Sequence, residues 1–300
     1  MLIVTIPGPQ NEEQLNAVVQ NPLVDGFRFN TGVRVPYSPL TTLELLLDKV
    51  GSRDFWLDIK GRQLRIIQWS DPEFGEILLN HDIEVELPAK VYFRGDDVCQ
   101  ITSAVENQIF VYPNPRYALG AGQSINIHSQ KLTIEGYLTE EDKLYLEAAK
   151  KLGINKYMLS FVESNNDIEL IQQYCPDAEM YLKIESPKGL DFVNSEYVCT
   201  PKIHLMAARD DLFINLENKF EIISALKLII KKDPEAIAAS RILISLINSR
   251  EISLGDIADL TLLHQMGYKN FMFSDSLSSN PNVFNQAMGY WKEFKIKKWR

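Results

Sequence analysis

What this sequence has little of narrows its class first. Its three cysteines, Cys99, Cys175 and Cys199, show no metal-like spacing and no disulfide framework, which suits a reducing compartment. No apolar run approaches the length of a membrane span. The opening MLIVTIPGP lacks the basic flank and the apolar length of a secretory signal, and reads as a strand. A basic stripe is missing as well: 31 basic against 40 acidic side chains leave a formal charge of -9, which argues against nucleic acid as partner. The short basic finish FKIKKWR reads as a solvated helix end. Glycine fingerprints of an open dinucleotide-binding sheet are absent too, since ALGAGQS runs into a strand and reads as a turn. These gaps predict a soluble, cytoplasmic protein without membrane or nucleic-acid partners.

What is present is a rhythm. With 300 residues and 45% apolar content, the chain can bury one large core, or a barrel plus an appendage. Short apolar runs alternate with segments of helical period: LIVTIP, GFRFN and FWLDIK first, then KYMLSF, EMYLKIE, IHLMAAR, RILISLI and NFMFSD. Between the third and fourth runs, from about Gln63 to Ile127, the text turns β-like and is punctuated by Pro, Gly and Asn. Eight βα units predict an α/β fold, a (β/α)₈ TIM barrel formed by residues 1–62 and 128–300, with a small β lid domain over 63–127.

In such a barrel alternate strand residues face inward, and sites lie at the C-terminal strand ends. YLKIESPKGL places Lys183 and Glu185 on one strand face, at the end closed by proline and glycine. Polar groups end the neighbouring strands as well: Arg28 and Asn30, Asp58 and Lys60 with Arg65 following, Arg209-Asp210-Asp211, Ser245 on the seventh run and Ser274 on the eighth. Singly, each reads as a loop cap; converging on one mouth, they predict a site. Glu185 and Asp211 are hard oxygen donors suited to Mg²⁺ or Mn²⁺. Lys183 beside them suits a developing enolate or a transferring phosphoryl group. Arg28 and Arg65 suit phosphate, and Asn30 with Asp58 could hold a monovalent cation.

At this point the segments resemble those of the pyruvate kinase family. GFRFNTG is similar to ARLNFSHG, LDIKGRQLR to LDTKGPEIR, YLKIESPKGL to SKIENHEG, and IHLMAARDDLFINL to GIMVARGDLGIEI, in the family's order along most of the barrel. The break after strand three falls where the family inserts its lid. The resemblance implies that Lys183 is the catalytic lysine, Glu185 and Asp211 the divalent-metal ligands, and Arg28 and Arg65 phosphoryl contacts. It makes Asn30 and Asp58 potassium ligands and puts Ser245 where the family has a threonine near the substrate's methyl carbon. The implied reaction moves phosphate between phosphoenolpyruvate and ADP, giving pyruvate and ATP, in a protein that can form oligomers.

Departures from the family pattern cluster beside the metal-lysine centre. Asp210 replaces the glycine of the RGD turn, and Phe213 a second glycine whose absence of side chain lets backbone amides approach the substrate carboxylate. Gly32 and Ile59 replace two hydroxyl residues, Val33 a histidine that meets nucleotide, Glu163 a residue commonly basic, and Ser276 a glutamate. The chain ends after the last barrel helix, where the family continues into a regulatory domain. Three readings therefore stand: a pyruvate-kinase-like phosphotransferase; a metal-dependent lyase, aldolase or decarboxylase working through a 2-oxo-acid enolate; and a non-catalytic metabolite- or partner-binding homologue.

Overall fold

The computed structural model describes residues 1–73, 75–93, 97–129 and 131–297. The last three residues of the basic FKIKKWR finish lie outside the described residues. The barrel strands are β1 (Leu2–Ile6), β2 (Gly26–Asn30), β3 (Asp54–Ile59), β4 (Lys156–Leu159), β5 (Glu179–Ile184), β6 (Ile203–Ala208), β7 (Ile237–Ala239) and β8 (Asn270–Phe273). All pair in parallel, and β1 pairs with both β2 and β8, so the sheet closes.

Helices α1 (Glu12–Val19), α2 (Pro39–Val50), α3 (Glu140–Leu152), α4 (Asn165–Tyr174), α5 (Pro187–Ser195), α6 (Arg209–Asn215), α7 (Ile222–Lys232), α8 (Ser245–Asn248), α9 (Leu254–Met266), α10 (Asp275–Ser278) and α11 (Pro281–Ile296) follow the strands. Local signals explain several boundaries. Ser38 caps α2 ahead of Pro39, and Thr139 with Asp142, or Ser253 with Asp256, forms a reciprocal capping box that opens α3 or α9. Gly153 and Gly267 close the same two helices in the left-handed conformation.

Two cores follow from strand alternation. Residues such as Val4, Phe27, Leu57, Leu182 and Phe271 point outward into the apolar layer under the helices. Inside the barrel, Ile3, Trp56, Met158, Met206, Ile237 and Met272 form a compact apolar plug. Two residues further along their strands, the inward positions turn polar: Thr5, Asp58, Ser160 and, level with Met206, Lys183. The plug is thus a floor, and the polar layer above it is the mouth.

Between β3 and α3 the chain builds a separate five-stranded antiparallel sheet with its own core, including Leu64, Ile77, Val91, Ile101 and Ile127. A short pairing of Thr133–Ile134 with Ile83–Glu84 carries that β-rich domain a few residues past 127. Gly61 sits at the exit from β3 with φ +51, and a Cβ there would meet the Tyr137 ring at 2.6 Å, so the hinge needs glycine. Among the described residues, no helix is long and apolar enough to cross a membrane.

One expected strand is displaced. The seventh is Ile237–Ala239 in the alanine-rich AIAAS, not RILISLI. Ser240, Arg241 and Leu243 adopt positive φ, which breaks an extended run, and Ser245 to Asn248 are helical.

Candidate active site at the mouth of the barrel

Asp58, fully buried at the end of β3, organises the polar layer. Arg28 donates to its Oδ2 from Nε at 2.6 Å and from Nη2, and reaches Thr5 Oγ1 with Nη1 at 2.9 Å. Lys60 Nζ lies 3.1 Å from the same carboxylate, and Lys183 Nζ 3.6 Å from it. Burial works against this anion, but Arg28, Lys183 and Lys60 overcome it and hold Asp58 well below the usual carboxylate range. The cost falls on Lys60: burial and the neighbouring Lys183, Arg28 and Arg65 push its ammonium down to about 7, against the pull of Asp58.

Lys183 projects from β5 between three oxygens. It donates to Ser160 Oγ at 2.7 Å and lies 3.1 Å from Glu185 Oε1. The second Glu185 oxygen accepts the Phe161 N–H at 2.8 Å, where Phe161 holds φ +50. Burial first, then repulsion from Asp211 and Asp58, pushes Glu185 up to about 7 despite Lys183. Asp211, in the first turn of α6, accepts from Asn126 of the β-rich domain at 3.0 Å. Asn126 also accepts from Asn215, which donates to the Glu185 carbonyl at 2.9 Å. The inserted domain is therefore tied to both expected metal ligands' elements.

Arg65 lies at the other side of the mouth. It donates to Gln63 Oε1 at 2.7 Å and to the carbonyls of Gly122 at 2.6 Å and Gly32 at 3.2 Å. None of these three acceptors is a carboxylate. A Cβ on Gly32 would stand 2.5 Å from the Arg65 guanidinium, so Arg65 fills the room a serine would use.

Asp210 lines the mouth cavity at its exposed rim, paired with Arg241. Its Oδ1 accepts from Arg241 Nε at 2.7 Å, and both side chains are exposed. Arg241 in turn covers the Phe213 ring. Ser245, expected on a strand, lies on α8 and turns from the mouth: its hydroxyl donates to Asp256 and to the Glu251 carbonyl. Glu163 accepts from Ser186 at 2.6 Å, away from the lysines. Ser276 lines the mouth cavity with Arg28, Lys183, Glu185 and Asp211, around a volume of about 290 Å³. A larger cavity of about 540 Å³, walled by Leu64, Ile125 and Ile127, lies between the β-rich domain and α5 without those charged groups.

The donor set fits one of the two metals expected. Glu185 and Asp211 are carboxylates lining one polar cavity, where Asp211 makes the ionised form of Glu185 costlier, a repulsion that a divalent cation would relieve. The potassium set does not fit: Asp58 is saturated by three cations, Asn30 Oδ1 accepts the Gly32 N–H, Ile59 is buried in the apolar layer, and Gly32 has no hydroxyl.

Sequence reasoning missed Thr5, Asn126, Asn215 and Arg241. Thr5 was legible from parity with Ile3. The other three depend on how loops and the inserted domain fold back, which leaves no local pattern.

Together, fold and mouth define a (β/α)₈ barrel with a polar, charged C-terminal end beneath an inserted β domain. No family model matches the chain. Among curated proteins, the pyruvate kinase of Thermoplasma acidophilum is 30% identical over 134 residues, which is 42% of this chain and 24% of that protein. The pyruvate kinase of Borreliella burgdorferi is 27% identical over 146 residues, 46% of this chain and 30% of that protein. The chain thus spans well under half the length of these relatives, and it is related to the pyruvate kinases over that partial stretch.

Proposed function

We propose that the protein is a pyruvate-kinase-like phosphotransferase that binds phosphoenolpyruvate or pyruvate at the barrel mouth. The observation that carries this reading is the placement of Lys183 Nζ between Ser160 and Glu185, 2.7 and 3.1 Å away, in the cavity that Arg28 and Asp211 share. Two curated pyruvate kinases among its relatives support it.

Glu185 and Asp211 would hold Mg²⁺ or Mn²⁺, which supplies a Lewis acid for the substrate's carboxylate and enolate oxygens. Lys183 is positioned to stabilise charge on a transferring phosphoryl group or on the enolate left behind. Arg65 contributes positive charge to the same mouth, and its bonds to neutral acceptors leave that charge for an anion. Arg28 acts differently: bound to Asp58, it orients that carboxylate under Lys183 and reaches substrate only at the cavity wall. A nucleoside diphosphate is the expected phosphoryl acceptor. In the test, pyruvate is released from phosphoenolpyruvate only with ADP and Mg²⁺, and Lys183→Ala abolishes it. No turnover with any nucleoside diphosphate would sink the proposal.

One observation favours a second reading. Arg65 closes over Gly32, on the side where Val33 replaces a nucleotide-facing histidine of the resembling family. A lyase, aldolase or decarboxylase that passes through a 2-oxo-acid enolate needs the same lysine and carboxylates but no nucleotide surface. Metal-dependent exchange of pyruvate methyl protons in D₂O, without phosphoryl transfer, selects that reading.

A further inference from the structure

The opposite end of the barrel carries a second cluster. His204 is the second residue of β6, Asp233 ends α7, and Cys199 lies in the connection from α5. One ligand atom from each lies within 4.8 Å of the other two. Cys199 Sγ is 3.5 Å from Asp233 Oδ1, and His204 Nδ1 is 3.3 and 3.2 Å from the two carboxylate oxygens. We propose that Cys199, His204 and Asp233 form a transition-metal site, suited to Zn²⁺, that fastens the α5–β6 connection to the end of α7.

The spacing matches the ion. Zinc bond lengths of about 2.3 Å to sulfur and about 2.0–2.2 Å to nitrogen or oxygen imply tetrahedral edges of about 3.5 Å for S···O and about 3.3 Å for N···O. The two edges to Asp233 agree, and the sulfur and the imidazole nitrogen lie within 4.8 Å of each other. The donor types also agree, since a thiolate, an imidazole and a carboxylate suit a borderline-soft cation better than Mg²⁺. Charge closes as well: a thiolate and a carboxylate neutralise a dication. Binding expels the thiol proton to solvent, and with it the imidazolium proton wherever Asp233 holds His204 protonated.

The surroundings hold the ligands as an outer shell does. Asp233 is fully buried and accepts the N–H groups of Leu205 at 2.7 Å and Glu235 at 2.9 Å, which fix the carboxylate. The imidazole also meets the Pro201 carbonyl. Cys199 is exposed, which gives the ion an entry path, and the Tyr197 hydroxyl lies beside both Cys199 and Asp233. A loop-capping role explains the two backbone bonds of Asp233. The sulfur and the imidazole, which meet the same carboxylate at hydrogen-bond distance, add the two further donors that a metal needs.

The test uses the full chain, stripped with chelator and titrated with Co²⁺ alone, in wild type and in the Glu185→Gln background that removes the mouth's divalent ligand. One equivalent of Co²⁺ is expected to produce a thiolate-to-cobalt charge-transfer band and intense tetrahedral d–d bands in both proteins. Zn²⁺ displaces the signal. Cys199→Ser, an exposed change that the fold tolerates, removes the charge-transfer band, while Cys175→Ser keeps it. His204→Asn weakens Zn²⁺ binding on the order of 100-fold. Zn²⁺ raises the melting temperature of the wild type and not of Cys199→Ser. Absence of a thiolate band, or a band and Zn²⁺ affinity unchanged in Cys199→Ser, overturns the proposal.

Discussion

Asp210 and Arg241 meet at the rim of the barrel mouth in a 2.7 Å ion pair, and the same guanidinium covers the Phe213 ring, 4.9 Å from its centroid. A carboxylate that would repel an anionic substrate is thereby neutralised and drawn aside, and the bulky ring beside it is held by the same cation. Both partners are exposed, so the pair adds at most about 1 kcal/mol to stability. Its effect is on the field at the mouth. Asp210→Asn is expected to tighten oxalate binding, measured calorimetrically with Mn²⁺, by about two- to fivefold, the range that one exposed charge supplies. Arg241→Ala exposes an unpaired Asp210 and weakens oxalate by a similar factor. Equal affinities in all three proteins would show that the rim charges do not reach the ligand.

Asp58 is a buried anion serving Arg28, Lys60 and Lys183 together, and removing it strands Arg28 and Lys60 and leaves Lys183 to Glu185 alone. Asp58→Asn is expected to destabilise the protein by about 3–5 kcal/mol, read as a fall in the urea midpoint. Lys183→Met should cost less stability, because Asp58 keeps two cations. Its loss appears instead in turnover, by on the order of 10²–10³, the usual consequence of removing a group that meets developing charge.

Monovalent cations are expected to have no specific effect. The residues corresponding to a potassium site are bonded among themselves, and Asp58 already holds ammonium and guanidinium groups. Replacing K⁺ with Na⁺ or tetramethylammonium at constant ionic strength should leave turnover and Mn²⁺ affinity within about twofold. A tenfold K⁺-specific activation would require Lys60 to swing out and release the carboxylate.

Among the described residues of the β-rich domain, Asn126 is the side chain that bonds both Asp211 and Asn215. Asn126→Ala removes two hydrogen bonds worth about 1 kcal/mol each when neutral, and more to the charged Asp211. It is expected to raise the Michaelis constant more than it lowers the turnover number, since the domain then closes less firmly over bound substrate. A change confined to the turnover number would assign Asn126 to the chemistry itself.

Much of the barrel was legible because its signals are local. Inward parity places Asp58 and Lys183 above an apolar plug, and LIVTI, GFRFN and EMYLKI read as strands from apolar runs bounded by caps. The seventh strand was misplaced because RILISLI is apolar and β-branched, whereas AIAA is short and bland. Only tertiary pairing of Ala239 with Met272 and of Ala208 with Ala239 identifies the true strand. The charge state of the mouth was not legible either. Which carboxylate binds which cation depends on distances across strands, and Arg241 reaches Asp210 from a left-handed loop without a sequence signature.

Ser245 shows what that displacement means in energy and supplies a pH test. Its hydroxyl donates to Asp256, the carboxylate of the α9 capping box, together with Ser253. Burial alone would raise Asp256, but the hydrogen bonds from Ser245 and Ser253 outweigh it and hold its carboxyl below the usual aspartate range. A depressed carboxylate stabilises the fold above its unfolded pKa and loses that contribution as pH falls through the folded value. Ser245→Ala is therefore expected to cost about 1–2 kcal/mol at neutral pH, the worth of a charge-assisted hydrogen bond. The difference from wild type in denaturant midpoint should shrink below pH 3.8 and vanish once Asp256 is protonated in both proteins. Oxalate affinity at the mouth should be unchanged at neutral pH. A stability difference that persists undiminished in acid, or a loss of oxalate binding, would return Ser245 to the site.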